Sequence, residues 1–252
     1  MDQPDSVRPT LRQSLLAMLA HIYTASGLIP LFWAATGIVN HNFQAAYLGF
    51  LIAVFIDATD GTLARAVDVK RNAPWINGRK LDDIVDYLGY TFLPILLAWK
   101  AGWFLSPAYF WVCWPLLGSI FAFVHEGAKE EDLGFFRGFP SYWNIVVFYI
   151  DIFYQPGNEA LVTYLLAFLG VMCIMPIRFV YPTLPPCWKG FFLGGATVWG
   201  VQLLVMAMYY PDIPDWMTYL SLVYPVIYTV LSIYLDWHER LTRKTRQSLH
   251  HE

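Results

Sequence analysis

Residues 13–56 contain no Asp, Glu, Lys or Arg, and Asn40-His41-Asn42 interrupt this long apolar run. A membrane-crossing helix needs about 20 mostly apolar residues. The pattern therefore predicts two helices joined by a tight polar turn. Residues 101–124, 190–211 and 216–235 are also free of those charges, and 161–177 is a shorter example. The run 87–99 extends an apolar helix that begins among acids near Asp82. The run 138–150 is the weakest, with Gly138 and Pro140 at its start and Asp151 near its end. Eight spans are expected, roughly 15–38, 44–65, 80–99, 107–125, 141–155, 160–177, 189–209 and 216–236.

Composition supports a membrane protein. Charged residues make up 14% of the 252-residue chain, hydrophobic residues 57%, and mean hydropathy is +0.44. A soluble domain carries roughly 25% charged residues, so this chain cannot cover a water-facing surface. Disorder is excluded by the same hydrophobicity. The net charge of −3 gives no basic excess for nucleic acid. Aromatics reach 18%, in keeping with Trp and Tyr belts at both interfaces. Cys113, Cys173 and Cys187 lack the paired spacing of a zinc site and read as structural.

The expected fold class is all-α: a polytopic membrane helix bundle forming one domain over 1–252. An even number of spans puts both termini on one side. Of the 16 Lys and Arg residues, 15 then share that side and Lys100 alone faces the other. By the positive-inside rule both termini are cytoplasmic. No cleavable signal peptide is expected, because the first apolar run is too long. Residues 8–19, with Arg8 and Arg12 beside Leu11, Leu15, Leu16 and Leu19, fit either an amphipathic arm on the membrane surface or a longer, tilted first helix. The basic tail 239–252 is expected to be frayed or bound at the lipid surface.

The informative segment is 57–86. Asp57 and Asp60 are spaced i, i+3, and Asp82 and Asp86 are spaced i, i+4, so each pair shares a helix face. Two antiparallel helices joined by a cytoplasmic loop bring all four carboxylates to one end of the membrane. Four anions repel, and ionisable groups in a bilayer are costly, so cations are expected among them. Oxygen-only ligands suit Mg²⁺, Mn²⁺ or Ca²⁺. Two divalent ions would balance four carboxylates, and paired metals serve displacement at phosphorus. Gly61, Ala64 and Gly78 leave room beside the acids for a bulky ligand. The bland alternative is salt bridging with Arg65, Arg79 and Lys80. Asp83 fits that alternative best, pointing about 100° from Asp82 around the helix.

The segment Asp57-x2-Asp60-Gly61-x2-Ala64-Arg65, a 12-residue spacer, then Gly78-x3-Asp82-x3-Asp86, resembles the signature of the CDP-alcohol phosphotransferase family. Every fixed residue is present; the departure is a spacer longer than the family's usual eight. That longer spacer resembles the branch whose acceptor is choline. So do His21-Ile-Tyr-Thr24-Ala-Ser26-Gly27 and Phe136-Arg-Gly-Phe-Pro-Ser-Tyr-Trp-Asn144.

The resemblance implies an integral enzyme of a bacterial inner membrane, with its active site on the cytoplasmic side. It implies two divalent cations, Mn²⁺ or Mg²⁺, bound by Asp57, Asp60, Asp82 and Asp86. Gly61, Ala64, Arg65 and Gly78 would line the cytidine nucleotide site, and Asp86 would act as general base. The expected reaction joins choline to the phosphatidyl group of CDP-diacylglycerol and releases CMP. The expected partners are these substrates and membrane lipid, with homodimerisation left open. A quaternary ammonium calls for aromatic faces and a carboxylate, and Tyr90, Glu126, Tyr142 and Trp143 are the candidates. His125 reads as an interface histidine, and Arg178 as a phosphate ligand or a snorkelling side chain. Other acceptors (serine, inositol phosphate, glycerol phosphate), CDP-choline as donor, or divalent-cation transport are the alternatives.

Overall fold

The computed structural model describes residues 9–125, 127, 129–130, 133–181, 185 and 187–249. It divides into two compact units, one up to Leu93 and one from Pro94 onward. The first contains α1 (Leu11–Ser26), α2 (Leu28–Val39), α3 (Phe43–Ala66), the short α4 (Val69–Asn72), α5 (Gly78–Asp86) and a π-helical turn, Tyr87–Phe92. Thr10 starts α1 with a capping box: its side chain accepts from Gln13 N–H, and Gln13 reaches back to the Thr10 backbone.

Together α1 and α2 form an apolar helical stretch of 29 residues, Leu11–Val39. At 1.5 Å per residue it is roughly 43 Å long, well beyond a hydrocarbon core of about 30 Å. That excess length is compatible with either a surface arm or a tilted first helix; Arg8 lies outside the described residues. The predicted polar turn follows, with His41 in the left-handed region at φ 55°. The Asn42 side chain caps α3 by accepting from Ala45 N–H at 3.2 Å. Gly49 lets α2 and α3 approach: a Cβ there would lie 2.6 Å from the Pro30 carbonyl oxygen.

The second unit contains α6 (Leu93–Lys100), α7 (Ala108–Val124), α8 (Trp143–Phe153), α9 (Glu159–Met172), α10 (Lys189–Tyr209), α11 (Asp215–Ser221) and α12 (Val223–Leu249). It also contains three short antiparallel strands in the order β1-β2-β3: Lys129–Glu130, Phe135–Arg137 and Arg178–Val180. Helix α7 meets α9 at Gly118 and Gly170, where a Cβ on Gly118 would overlap the Gly170 carbonyl.

A helix falls on each of the eight expected spans. The helical stretches Leu11–Val39, Phe43–Ala66, Lys189–Tyr209 and Asp215–Leu241 are long and apolar enough to cross a bilayer, and α7, α8 and α9 are shorter apolar helices. The chain is an integral membrane protein with the expected all-α architecture. The short helices depart from their predicted bounds. Pro140 disfavours helix at the residue before it, and α8 begins only at Trp143, so its 11 residues reach roughly 17 Å. Helix α9 ends at Met172, and Arg178 belongs to β3.

The small sheet was not expected. Its pairing places Phe135 opposite Val180 and Arg137 opposite Arg178. Phe135, Val180 and Phe192 form a buried cluster with Tyr228, Leu231 and Leu235 packed against it. Strand β3 is tied to α12: Val180 N–H donates to Ser232 at 3.2 Å, and the Tyr228 hydroxyl donates to the Val180 carbonyl at 2.7 Å. Arg178 does not snorkel to an exposed end. It is 7% exposed and its Nε lies 2.6 Å from Asp236 Oδ1, with Arg240 Nε 2.9 Å from the same oxygen. Helix α12 continues into the basic tail as far as Leu249.

Candidate active site

The carboxylates gather in the first unit. Helix α3 carries Asp57 and Asp60, and α5 carries Asp82 and Asp86. Helix α1 packs against α3, α4 and α5, holding the two acidic faces around one cleft. The spacer between them is partly ordered as α4, with Asp68 at its start in the left-handed region and the buried Asn72 side chain donating to the Val67 carbonyl at 2.8 Å. Asn77 then caps α5 by accepting from Lys80 N–H at 3.1 Å.

One oxygen from each of Asp57, Asp82 and Asp86 lies within 4.8 Å of the others. Asp60 lines the same cleft at 7% exposure but stands outside that convergent set. The cleft is narrow, and Thr24, Gly27, Leu31, Phe50, Val54, Val85, Gly89 and Tyr90 complete much of its wall. It contains all four predicted aspartates and no Lys or Arg.

Arg65, Arg79 and Lys80 do not account for the acids. Arg65 Nη2 donates to Thr62 Oγ1 at 3.2 Å, and among the described residues Arg65, Arg79 and Lys80 form no ion pair. Three carboxylate oxygens at this spacing form an all-oxygen donor set that fits a hard divalent cation. The surrounding helices hold them together against their repulsion. Asp83, half-buried, is not one of the three.

The small residues beside the acids are filled by the protein itself. A Cβ on Gly61 would lie 3.3 Å from Arg65 Nη1, so the guanidinium covers that glycine. A Cβ on Gly78 would lie 2.8 Å from His21 Cε1, so the imidazole of α1 lies against the start of α5. His21 is 5% exposed and its Nε2 is buried without a hydrogen-bond partner. Ala64 is half-buried.

The candidate choline residues belong to both units. Tyr90 lines the cleft, and its hydroxyl donates to Asp57 Oδ2 at 2.7 Å. Trp143 and Tyr142 belong to the second unit. Trp143 is wholly buried, its Nε1–H donates to Ser119 Oγ at 2.7 Å, and Phe139 packs edge-on against it. Its ring is packed inside the second unit. Tyr142 is half-buried. Glu126 lies outside the described residues. Sequence reasoning missed the Tyr90–Asp57 bond, because it depends on a π-helical turn that hydrophobic periodicity does not announce.

Comparison with known proteins identifies the framework around this cleft. The profile of the CDP-alcohol phosphatidyltransferase family matches residues 16–128, which include the whole acidic segment. A phosphatidylcholine synthase of Legionella pneumophila is 34% identical over 93% of this chain and 94% of its own length. The chain belongs to the CDP-alcohol phosphatidyltransferase family. Phosphatidylcholine synthases of Borreliella burgdorferi (39% identity over 67% of this chain and 71% of the relative) and Rhizobium johnstonii (28% over 91% and 94%) are similar as well. These relatives and the acidic cleft together make this a membrane-embedded phosphatidyltransferase, and the family's divalent-cation chemistry agrees with the carboxylate cluster.

Proposed function

We propose that this chain synthesises phosphatidylcholine from CDP-diacylglycerol and choline, releasing CMP. The observation that carries the reading is the convergence of Asp57, Asp82 and Asp86, in a chain similar along nearly its full length to a phosphatidylcholine synthase.

Asp57, Asp60, Asp82 and Asp86 would hold two divalent cations, Mn²⁺ or Mg²⁺. Bound there, the cations supply charge neutralisation for the pyrophosphate and the departing CMP. Gly61, Ala64, Arg65 and Gly78 flank the nucleotide. Asp86 accepts the choline hydroxyl proton as the choline oxygen bonds to the phosphatidyl phosphorus and the bond to the CMP oxygen breaks. Leu31, Phe50, Val54 and Val85 on the cleft wall limit water, which would otherwise compete as acceptor. Tyr142 and Glu126 are the proposed contacts for the ammonium group. The similarity to phosphatidylcholine synthases favours choline over glycerol phosphate or inositol phosphate as acceptor.

Purified protein with Mn²⁺ should release CMP from CDP-diacylglycerol when choline is added. Turnover with serine or glycerol phosphate and none with choline would sink the acceptor assignment and leave the family chemistry standing. The enzyme is further proposed to lie in a bacterial inner membrane, with its site facing the cytoplasm. In a background lacking the native cysteines, a cysteine at Asp212 should label from outside intact cells. One at Lys70 should not, and labelling there would reverse the orientation.

A further inference from the structure

Tyr90 lies in the π-helical turn that follows Asp86 directly, and its hydroxyl donates to Asp57 Oδ2 at 2.7 Å. That carboxylate belongs to the convergent set with Asp82 and Asp86. We infer that Tyr90 is a positioning residue: its phenol fixes the orientation of Asp57 for cation binding, and the ring does not serve as a face for the alcohol's ammonium group. The inference rests on the reading of the aspartates as a divalent-cation site.

The terminal torsion of an Asp side chain is soft. With two other carboxylates close by, repulsion favours turning Asp57 out of the cluster. A donor on one oxygen opposes that rotation and holds the second oxygen in a fixed direction. Partners that orient a ligating carboxylate in this way typically change metal affinity 10–100-fold.

Local structure is built for the contact. A π-helical turn re-aims the side chains that follow it and is frequent at functional sites. Gly89 lets this turn sit close to α2, since a Cβ there would lie 2.9 Å from Leu31 Cδ2. One continuous helical segment thereby carries two ligating carboxylates, Asp82 and Asp86, and the phenol that holds a third from α3. The bond also ties α3 to the segment after α5.

The two roles for Tyr90 respond differently to substitution. Tyr90→Phe removes the donor and keeps the ring; Tyr90→Leu removes both. Tyr23→Phe is the control, a phenol that bonds Thr59 on α3 at 2.7 Å, two residues from Asp57. Full-length variants are titrated with Mn²⁺ alone, followed by the loss of the free-ion electron paramagnetic resonance signal. Choline KM is then measured at saturating Mn²⁺.

Both Tyr90 variants should bind Mn²⁺ about 10–100-fold more weakly. Tyr23→Phe should match the wild type, and the choline KM of Tyr90→Phe should stay within about twofold of it, because the ring that a cation–π contact needs is retained. Adding Tyr90→Phe to Asp57→Asn should weaken binding no further. Wild-type Mn²⁺ affinity in Tyr90→Phe, with a raised choline KM in Tyr90→Leu, would overturn the proposal in favour of a cation–π role. A wild-type protein that binds no Mn²⁺, and is unchanged by Asp57→Asn, would overturn the cation site and this inference with it.

Discussion

Asp60 in the first unit and Asp236 in the second are equally buried, at 7% exposure each, yet their surroundings are opposite. Asp236 accepts from Arg178 and Arg240, and Arg178 also lies over the Phe135 ring, 5.1 Å from its centroid. Asp60 shares its cleft with three more aspartates and with no basic side chain. A buried acid that meets its counter-charge within the chain joins a strand to a helix. Acids that converge on one another form an oxygen donor set suited to a cation. Burial alone does not distinguish structure from chemistry; the sign of the neighbours does.

The contrast can be broken most decisively at the acids. Asp86→Asn should lower turnover by about 10²–10⁴-fold, the range expected for a general base, while the protein remains folded. Near-normal turnover would remove that assignment. Asp57→Asn and Asp82→Asn should also lose most activity, and Asp83→Asn should lose little.

Asp236→Asn should behave in the reverse manner. It leaves Arg178 buried without its counter-charge, at a cost of about 3–5 kcal/mol, read as a lowered thermal midpoint in detergent. Metal-free Asp82→Asn should hold or raise its midpoint, because it removes repulsion. If both substitutions destabilised equally, the two clusters would not differ in kind.

Mn²⁺ sharpens the same distinction. At about 100 times its dissociation constant, a ligand specific for the folded state adds roughly 2.7 kcal/mol. The wild type and Arg240→Ala should gain that stabilisation, and Asp82→Asn should lose most of it. A chelator should reverse the gain. Arg240→Ala itself should cost no more than about 1 kcal/mol, since its side chain is 47% exposed and water screens the pair.

At Trp143 the expected effect is confined to stability. Trp143→Phe leaves the buried Ser119 hydroxyl without its indole donor, costing about 1–3 kcal/mol of stability. Choline KM should not change. A selective rise in choline KM in a fully folded variant would place this residue at the binding site.

Much of the fold was legible because a bilayer sets a simple requirement: long runs without charge, with polar breaks between them. The Asn40-His41-Asn42 turn and the helices α3 and α10 follow from that rule. The shorter helices were less legible. Apolar residues around 173–177 satisfy hydropathy equally well as helix or as the approach to a strand, and β3 is chosen by pairing with β2 and bonding to α12. Within the site, i, i+3 and i, i+4 spacing put each pair of aspartates on a common face, as helical geometry requires. Spacing could not say that His21 and Arg65 would cover Gly78 and Gly61.

The sequence by itself determined a membrane-embedded helical protein, its acidic signature and its family, because charge-free length and helical spacing are local properties of the chain. Tertiary structure decided which charges are paired and which converge. It decided that Arg178 meets Asp236 from 58 residues away, that Trp143 is enclosed, and that Tyr90 holds Asp57 from 33 residues away. Those outcomes depend on distances between helices and on one π-helical turn. They arise only when the packed segments settle where like charges, counter-charges and hydrogen-bond donors meet.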